Sequence, residues 1–496
     1  MKSTKSTSSS MPFPEINGKD KEFYVYKWDF EFYDKDDKKT KIYPERVNSI
    51  SKVSLYKEKV MPVLLSELRF RKADVAKLKS IQKRCECTIS CTCIIYSPTT
   101  GGNNSDVKSG TSSYVQTDSV LEFTSNFEPI FDINTFKSAK YDEDEVINNE
   151  EENLANAHPT DSALLDSPTQ IVNVSFFQLS AQRIMKTLYN AVLSDDGGLE
   201  IGTALNWVCS QIEKKHIEGY IIDKPANNIA TNEVIIPPLL LIPTINYLQT
   251  MYGVYENGIQ PFIDYDKILY VLDKYADSHD HVKKDTTLVH VYVVDANKYE
   301  AASMTRSLND SKEPLYLGVP YITNTDDEVL KGELVGNNFA FSSFNQSIDA
   351  VSYNNKNKPD SSTAKDVTMV LKRNIPTHDS TDEKTVCDYD EMNNVYNMSS
   401  RFNEVEARSQ SISVTLQNAR IEDFKVNKFV ELHFQNTSKQ LAVGGVYYLN
   451  SVRFDFTALP SGELNKLSID VKDTRNMTKT SGACVLGLSR RNPVRK

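Results

Sequence analysis

The chain has 496 residues, room for three or four domains, and 39% of them are apolar, with 25 Tyr and 21 Phe to fill cores. A net charge of −10 excludes a nucleic-acid binder that relies on a basic surface, and the short basic stretch 490–496 reads as a solvated tail. No apolar run reaches the ~18 residues of a membrane-spanning helix, and the opening MKSTKSTSSSM carries positive charge with no apolar segment behind it, so residues 1–20 are expected to be a flexible tail and not a signal peptide. Seven cysteines, four of them clustered, do not resemble a disulfide framework, and synthesis in a reducing cytoplasm is expected.

In chain order, Tyr24, Tyr26, Trp28, Phe30 and Phe32 alternate with polar and smaller residues, which predicts a strand with an aromatic face. A second strand is expected within 46–59, extended pieces at 60–65 and 67–70, and a helix over 72–83 with Val75 and Leu78 on one side. The segment 84–93 places Cys85, Cys87, Cys91 and Cys93 on one strand face. A zinc site is the alternative, but two Cys-x-Cys pairs lack the usual spacing. A continuous strand would hold Cys85 and Cys93 roughly 26 Å apart. One ion would therefore need a tight turn at Thr88-Ile89-Ser90, and the amphipathic strand is preferred. Residues 98–113 read as a loop and 114–127 as a strand. The acidic run 138–168 repels itself and is expected to be a linker or a disordered insertion.

A middle unit is expected from 171, with a strand at 172–177, a helix over 180–193 carrying Ile184, Leu188 and Val192, a break at 195–198, and a helix over 201–214. Its landmark is 232–273. Val234-Ile235-Ile236 is extended, and a helix follows the Pro237-Pro238 pair with Pro243 near its first turn. Gly253 stops that helix, Asn257-Gly258 turns the chain, and two short strands end the unit. Asp264 and Asp266 share one strand face and read as solvated rather than metal-binding. His279, Asp280 and His281 lie in a charged connector and read as exposed. Strands are then expected at 288–294, 339–344 and 367–372, a helix at 398–410, and four strands at 411–416, 429–434, 446–456 and 466–471.

No phosphate-binding glycine loop, His-Glu-x-x-His or Gly-x-Ser-x-Gly occurs, and the seven histidines are scattered. No catalytic, cofactor-binding or metal-ligating residue is assigned, no cofactor is expected, and the chain is not read as an enzyme.

Three places carry a family resemblance: 50–70 leading into the cysteine strand, 237–266, and 424–456 with its Gly445-Val446-Tyr447-Tyr448-Leu449 strand. Together they resemble the baseplate hub proteins of contractile-tailed bacteriophages. The resemblance implies an α+β, mainly β chain with two tube-like antiparallel β-barrel domains and a helix-containing middle domain. The expected boundaries are a barrel at 21–135 (which 288–344 could complete), a linker at 136–170, a middle domain at 171–285, a β-rich connection at 286–400, a C-terminal barrel at 401–475 and a tail at 476–496. It implies a structural virion protein synthesised in the host cytoplasm, a homotrimer joining a sixfold tail tube or its initiator to a threefold central spike. Other baseplate proteins would be partners, there would be no membrane contact, and DNA would pass its channel without specific binding. A tail-associated cell-wall hydrolase and a β-domain adhesin are the alternatives.

Overall fold

The computed structural model describes residues 22–98, 114–132, 169–227, 230–255, 257–276, 288–293, 307–308, 314–324, 349–353, 369–373, 410–426, 428–434, 443–459 and 479–490. The loop at 99–113, the acidic run at 138–168, the connector with His279, Asp280 and His281, and the strands expected at 339–344 and 466–471 lie outside these residues. The fold is mainly β.

The first elements are β1 (Phe23–Asp34), β2 (Lys41–Ile42), β3 (Arg46–Leu55), β4 (Val63–Arg71), α1 (Lys72–Ile81), β5 (Cys85–Pro98), β6 (Tyr114–Phe131) and β7 (Thr169–Gln178). The alternation seen in the sequence is a burial alternation. Tyr24, Tyr26, Trp28, Phe30 and Phe32 are buried, while Lys27, Asp29 and Glu31 face outward. α1 begins with Asp74 in its first turn and ends with Lys79 in its last, each placed to favour the helix dipole. Val75 and Leu78 seat it on the core.

The middle of the chain holds α2 (Leu179–Met185), β8 (Leu188–Glu200), α3 (Ile201–Ser210), β9 (Gly219–Ile222), β10 (Ala230–Leu240), α4 (Leu241–Tyr252), β11 (Ile259–Ile263) and β12 (Ile268–Asp273). The helix expected over 180–193 is cut short: α2 stops at Met185 and the chain becomes β8, paired antiparallel to β10. A spacing of four residues fits a strand face as well as a helix face, and the β10 ladder decides it. The Asp195–Gly198 stretch lies inside β8 at a register shift and does not end an element. β7, expected to open this unit, joins the large sheet between β4 and β6 because Val172, Val174 and Phe176 point into the first core. α4 ends where predicted. Gly253 takes φ 71°, open to glycine, and its N–H donates to the Leu248 and Gln249 carbonyls. In the sheet β11-β12-β9 the β11–β12 hairpin is buried on both faces: Phe262, Tyr270 and Leu272 join the large core, and Ile263, Leu269 and Val271 join the helical one.

The remaining strands are β13 (Leu288–Val293), β14 (Ser307–Leu308), β15 (Pro314–Asn324), β16 (Asp349–Tyr353), β17 (Met369–Arg373), β18 (Gln410–Gln417), β19 (Phe429–Phe434), β20 (Gly445–Ala458) and β21 (Lys479–Arg490). Gln410, placed in a helix by its sequence, starts a strand. The segment 479–490, expected within a tail, is a strand between β18 and β20. Thr480, Cys484, Leu486 and Leu488 alternate into the core, and its glycines admit close neighbours, the Phe456 ring lying 2.8 Å from where a Cβ on Gly482 would stand.

One fourteen-stranded sheet runs β13-β19-β20-β3-β4-β7-β6-β5-β1-β21-β18-β15-β14, with β2 on β1. Two further pairings, β13 with β15 and β20 with β21, return the path on itself. One circuit is β20-β3-β4-β7-β6-β5-β1-β21, and the other is β13-β19-β20-β21-β18-β15. They share the β20–β21 pair. β13 and β15, which the sequence offered to the N-terminal unit, thus pair with β19 and β18. Both circuits face one continuous core. Tyr26, Tyr56 and Tyr316 reach across it to the segment 418–426. Tyr26 donates to the Ala419 carbonyl (2.8 Å), Tyr56 to that of Phe424 (2.6 Å) and Tyr316 to the Asp423 carboxylate (2.5 Å).

Candidate functional site

Three groups of chemically capable side chains stand out among the described residues. The cysteine strand is the first. β5 pairs with β1 without interruption from Cys85↔Asp34 to Tyr96↔Phe23, so the turn at Thr88-Ile89-Ser90 that a four-cysteine site needs is absent. Cys87, Cys91 and Cys93 are fully buried, and desolvation raises all four thiols, Cys85 and Cys93 to about 12. They are packing residues and poor nucleophiles. Beside them Glu122 occupies a bulge, since Cys91 faces Phe123 and Thr92 faces Leu121. Burial raises its carboxyl from 4.5 to about 7.

The second group joins the large sheet to the middle unit. Lys52 faces inward from β3, and its Nζ lies 3.5 Å from Asp264 and over the Tyr265 ring at 5.2 Å. Asp264 is 5% exposed, which overturns the solvated-face expectation: the β11–β12 turn docks against β3 instead of facing water. Its carboxylate also accepts the Tyr265 N–H at 2.7 Å. Asp266 accepts from the Ile268 N–H (3.0 Å) and the Tyr270 hydroxyl (2.8 Å), and burial followed by the Asp264 charge raises its pKa.

The third group is one that local reading does not assemble. In the parallel β13–β19 ladder His290 faces Glu431 and Tyr292 faces His433. Three side chains converge: His290 Nδ1 is 3.0 Å from His433 Nε2 and 3.2 Å from Glu431 Oε2, and His433 Nε2 is 3.7 Å from the same carboxylate oxygen. Both rings are nearly buried, and Glu431 keeps partial contact with solvent. The Tyr292 ring stacks on His433 at 4.6 Å. The hydrogen bond from His290 holds the Glu431 carboxyl below its usual range, and burial lowers His433. The usable signal was His-x-Tyr on one strand and Glu-x-His on another, each pair on one face. Their pairing, across 143 residues, is tertiary information.

An open groove of about 450 Å³ lies over β3, β4, β6 and β7, lined by Ser49, Ser51, Glu67, Asn173 and Ser175 among others. It brings no histidine or cysteine to its serines.

No protein-family model matches the chain, and no curated protein matches it. Among solved structures, the chain is similar to the prophage MuSo2 43 kDa tail protein from Shewanella oneidensis, at 8% identity and a TM-score of 0.37, over 94% of this chain and 98% of that one. It is also similar to a chain of a PdpA-VgrG complex, at 7% identity and a TM-score of 0.34, over 97% of this chain and 67% of that one.

Proposed function

We propose that the chain is a structural protein of a contractile-tail virion, the central baseplate hub that joins a sixfold tail tube to a threefold spike. The observation that carries this reading is the pair of strand circuits sharing β20–β21. Two tube-like barrels per chain, repeated in three chains, supply six similar units around a threefold axis, and a closed ring of that kind limits its own growth. Both circuits are filled by side chains, so the DNA channel lies between chains and not through a barrel. The acidic balance of the chain suits a passage that must not retain DNA.

The middle unit supplies a contact surface. On the outward side of β8–β10, Leu188 faces Leu240 and Val192 faces Ile235, and all four side chains are exposed. Paired apolar side chains on the solvent face of a two-stranded sheet suit a contact in an assembly. Domains then run as a first circuit built on the strands from 23 to 178 and closed by β20 and β21, a middle unit from 179 to 276, and a second circuit from β13, β15 and β18 to β21.

Light scattering on the purified chain, alone and with the central spike protein of the same virion, tests the proposal. A trimer, or a monomer that becomes a trimer on the spike, is expected, and Val192→Glu should weaken the assembly without altering the circular dichroism spectrum. A monomer indifferent to the spike, or turnover of cell-wall material, overturns the hub assignment.

A further inference from the structure

The His290–Glu431–His433 cluster brings three potential metal-ligand atoms together across two strands. Two imidazole nitrogens and one carboxylate oxygen converge with separations of 3.0, 3.2 and 3.7 Å. Ligand atoms of a tetrahedral zinc ion at about 2.0–2.1 Å stand about 3.3 Å apart. A point about 2.0 Å from all three atoms therefore lies just off their plane. Without an ion, the two facing nitrogens can share only one proton between them, and the carboxylate competes for it.

We propose that His290 Nδ1, His433 Nε2 and Glu431 Oε2 bind a divalent first-row transition ion, zinc by preference, on the outer face of the β13–β19 seam. The donor set is borderline-soft nitrogen with one oxygen, which favours zinc over magnesium or calcium. Glu431 lies toward solvent, leaving the fourth position to water. The stacked Tyr292 ring restricts His433 to one orientation, the kind of outer support that ligating histidines use.

Its role follows from where it sits. β13 has six residues and pairs in parallel with β15 and β19, whereas every other ladder of the large sheet among the described residues is antiparallel. Parallel pairing is slightly weaker per residue. The ion bridges His290 on β13 to Glu431 and His433 on β19, so it fastens the strand that closes the second circuit.

The test uses the full-length chain, stripped with a chelator and titrated with Zn2+ by calorimetry, and with Co2+ to read the visible spectrum of a tetrahedral site. One ion per chain is expected. Amide exchange at 288–293 should slow on zinc addition, and the thermal midpoint should rise. His433→Gln, which keeps the size and polarity of the side chain, should weaken binding by more than the roughly 10–100-fold that losing an outer partner costs, and should remove the exchange protection. Circular dichroism of that variant checks its fold, and Glu431→Gln provides a second ligand substitution that leaves both rings in place. His279→Ala/His281→Ala should bind as the parent does. Absence of binding by the parent, binding unchanged in both His433→Gln and Glu431→Gln, or binding lost only in the His279/His281 variant would each overturn the proposal.

Discussion

Two seams of the large sheet, β20–β21 and β13–β19, are built differently. The β20–β21 pair is antiparallel and long, running from Tyr448↔Ser489 to Ala458↔Thr480, and each strand has further neighbours on its outer flank. On its inward side Phe456 packs against Tyr26 and Trp28, and Phe454 stacks on Phe456. A bulge between Leu449 and Ser451 moves the buried parity from Tyr447 and Leu449 to Val452, Phe454 and Phe456, which lets one strand serve both circuits. The β13–β19 seam is short and parallel, with Val289, Val291, Val430 and Leu432 on its inner side and Leu288 and Phe429 packed with Tyr275 and Tyr448 on its outer side, beside the polar cluster. The first seam holds through buried area. The second has less of it, and its outer face carries the polar cluster.

The largest effect should come from the shared seam. Phe456→Ala should cost about 3–5 kcal/mol in denaturant unfolding, because its fully buried ring packs on both Tyr26 and Trp28, with centroids at 4.8 and 5.0 Å. A loss below about 1 kcal/mol would show that the seam can repack and that the contrast is false.

The buried pair between the sheet and the middle unit comes next. Asp264→Asn should destabilise by about 3 kcal/mol, since it removes the carboxylate paired with the buried Lys52 charge. Lys52→Met combined with Asp264→Asn should recover most of that loss, and a double-mutant cycle measures the coupling.

Glu122 offers a gain whose size depends on pH. The unfolded carboxyl releases its proton near 4.5 and the folded one near 7, so the folded state binds more protons in that window and loses stability as pH rises through it. Glu122→Gln should therefore stabilise the protein by up to about 3 kcal/mol at pH 8 and leave it nearly unchanged at pH 4, read from thermal melts at the two values.

The smallest effect on stability belongs to the thiols. Cys87 and Cys91 should resist alkylation in the folded protein and react at once in denaturant. Fast labelling of either under native conditions would mean that β5 opens locally, which the uninterrupted β1–β5 ladder argues against.

Legibility in the sequence followed the range of the interaction. The aromatic face of β1, the cysteine parity of β5 and the Gly253 stop of α4 are local patterns, and each is found where expected. β8 was misread because Ile184, Leu188 and Val192 satisfy two periods at once, and only β10, some forty residues on, separates them. β21 was missed because Gly482 and Gly487 dilute its alternation, although Thr480, Cys484, Leu486 and Leu488 keep it. Asp264 looked solvated because Lys52, its partner, lies 212 positions earlier. The histidine cluster is the extreme case, since nothing near His290 announces His433.

The position of β21 also governs how the molecule can be made. It follows every other described strand in the chain, yet it is the piece against which β1, β18 and β20 all close. During synthesis the N-terminal strands emerge first, and β1 must wait with an open edge until more than 400 further residues have left the ribosome. Pairings this distant form late, and the waiting edge can capture a neighbouring nascent chain. Production of the intact protein should therefore respond strongly to chaperone supply, and chains truncated before 479 should aggregate rather than yield a folded N-terminal circuit.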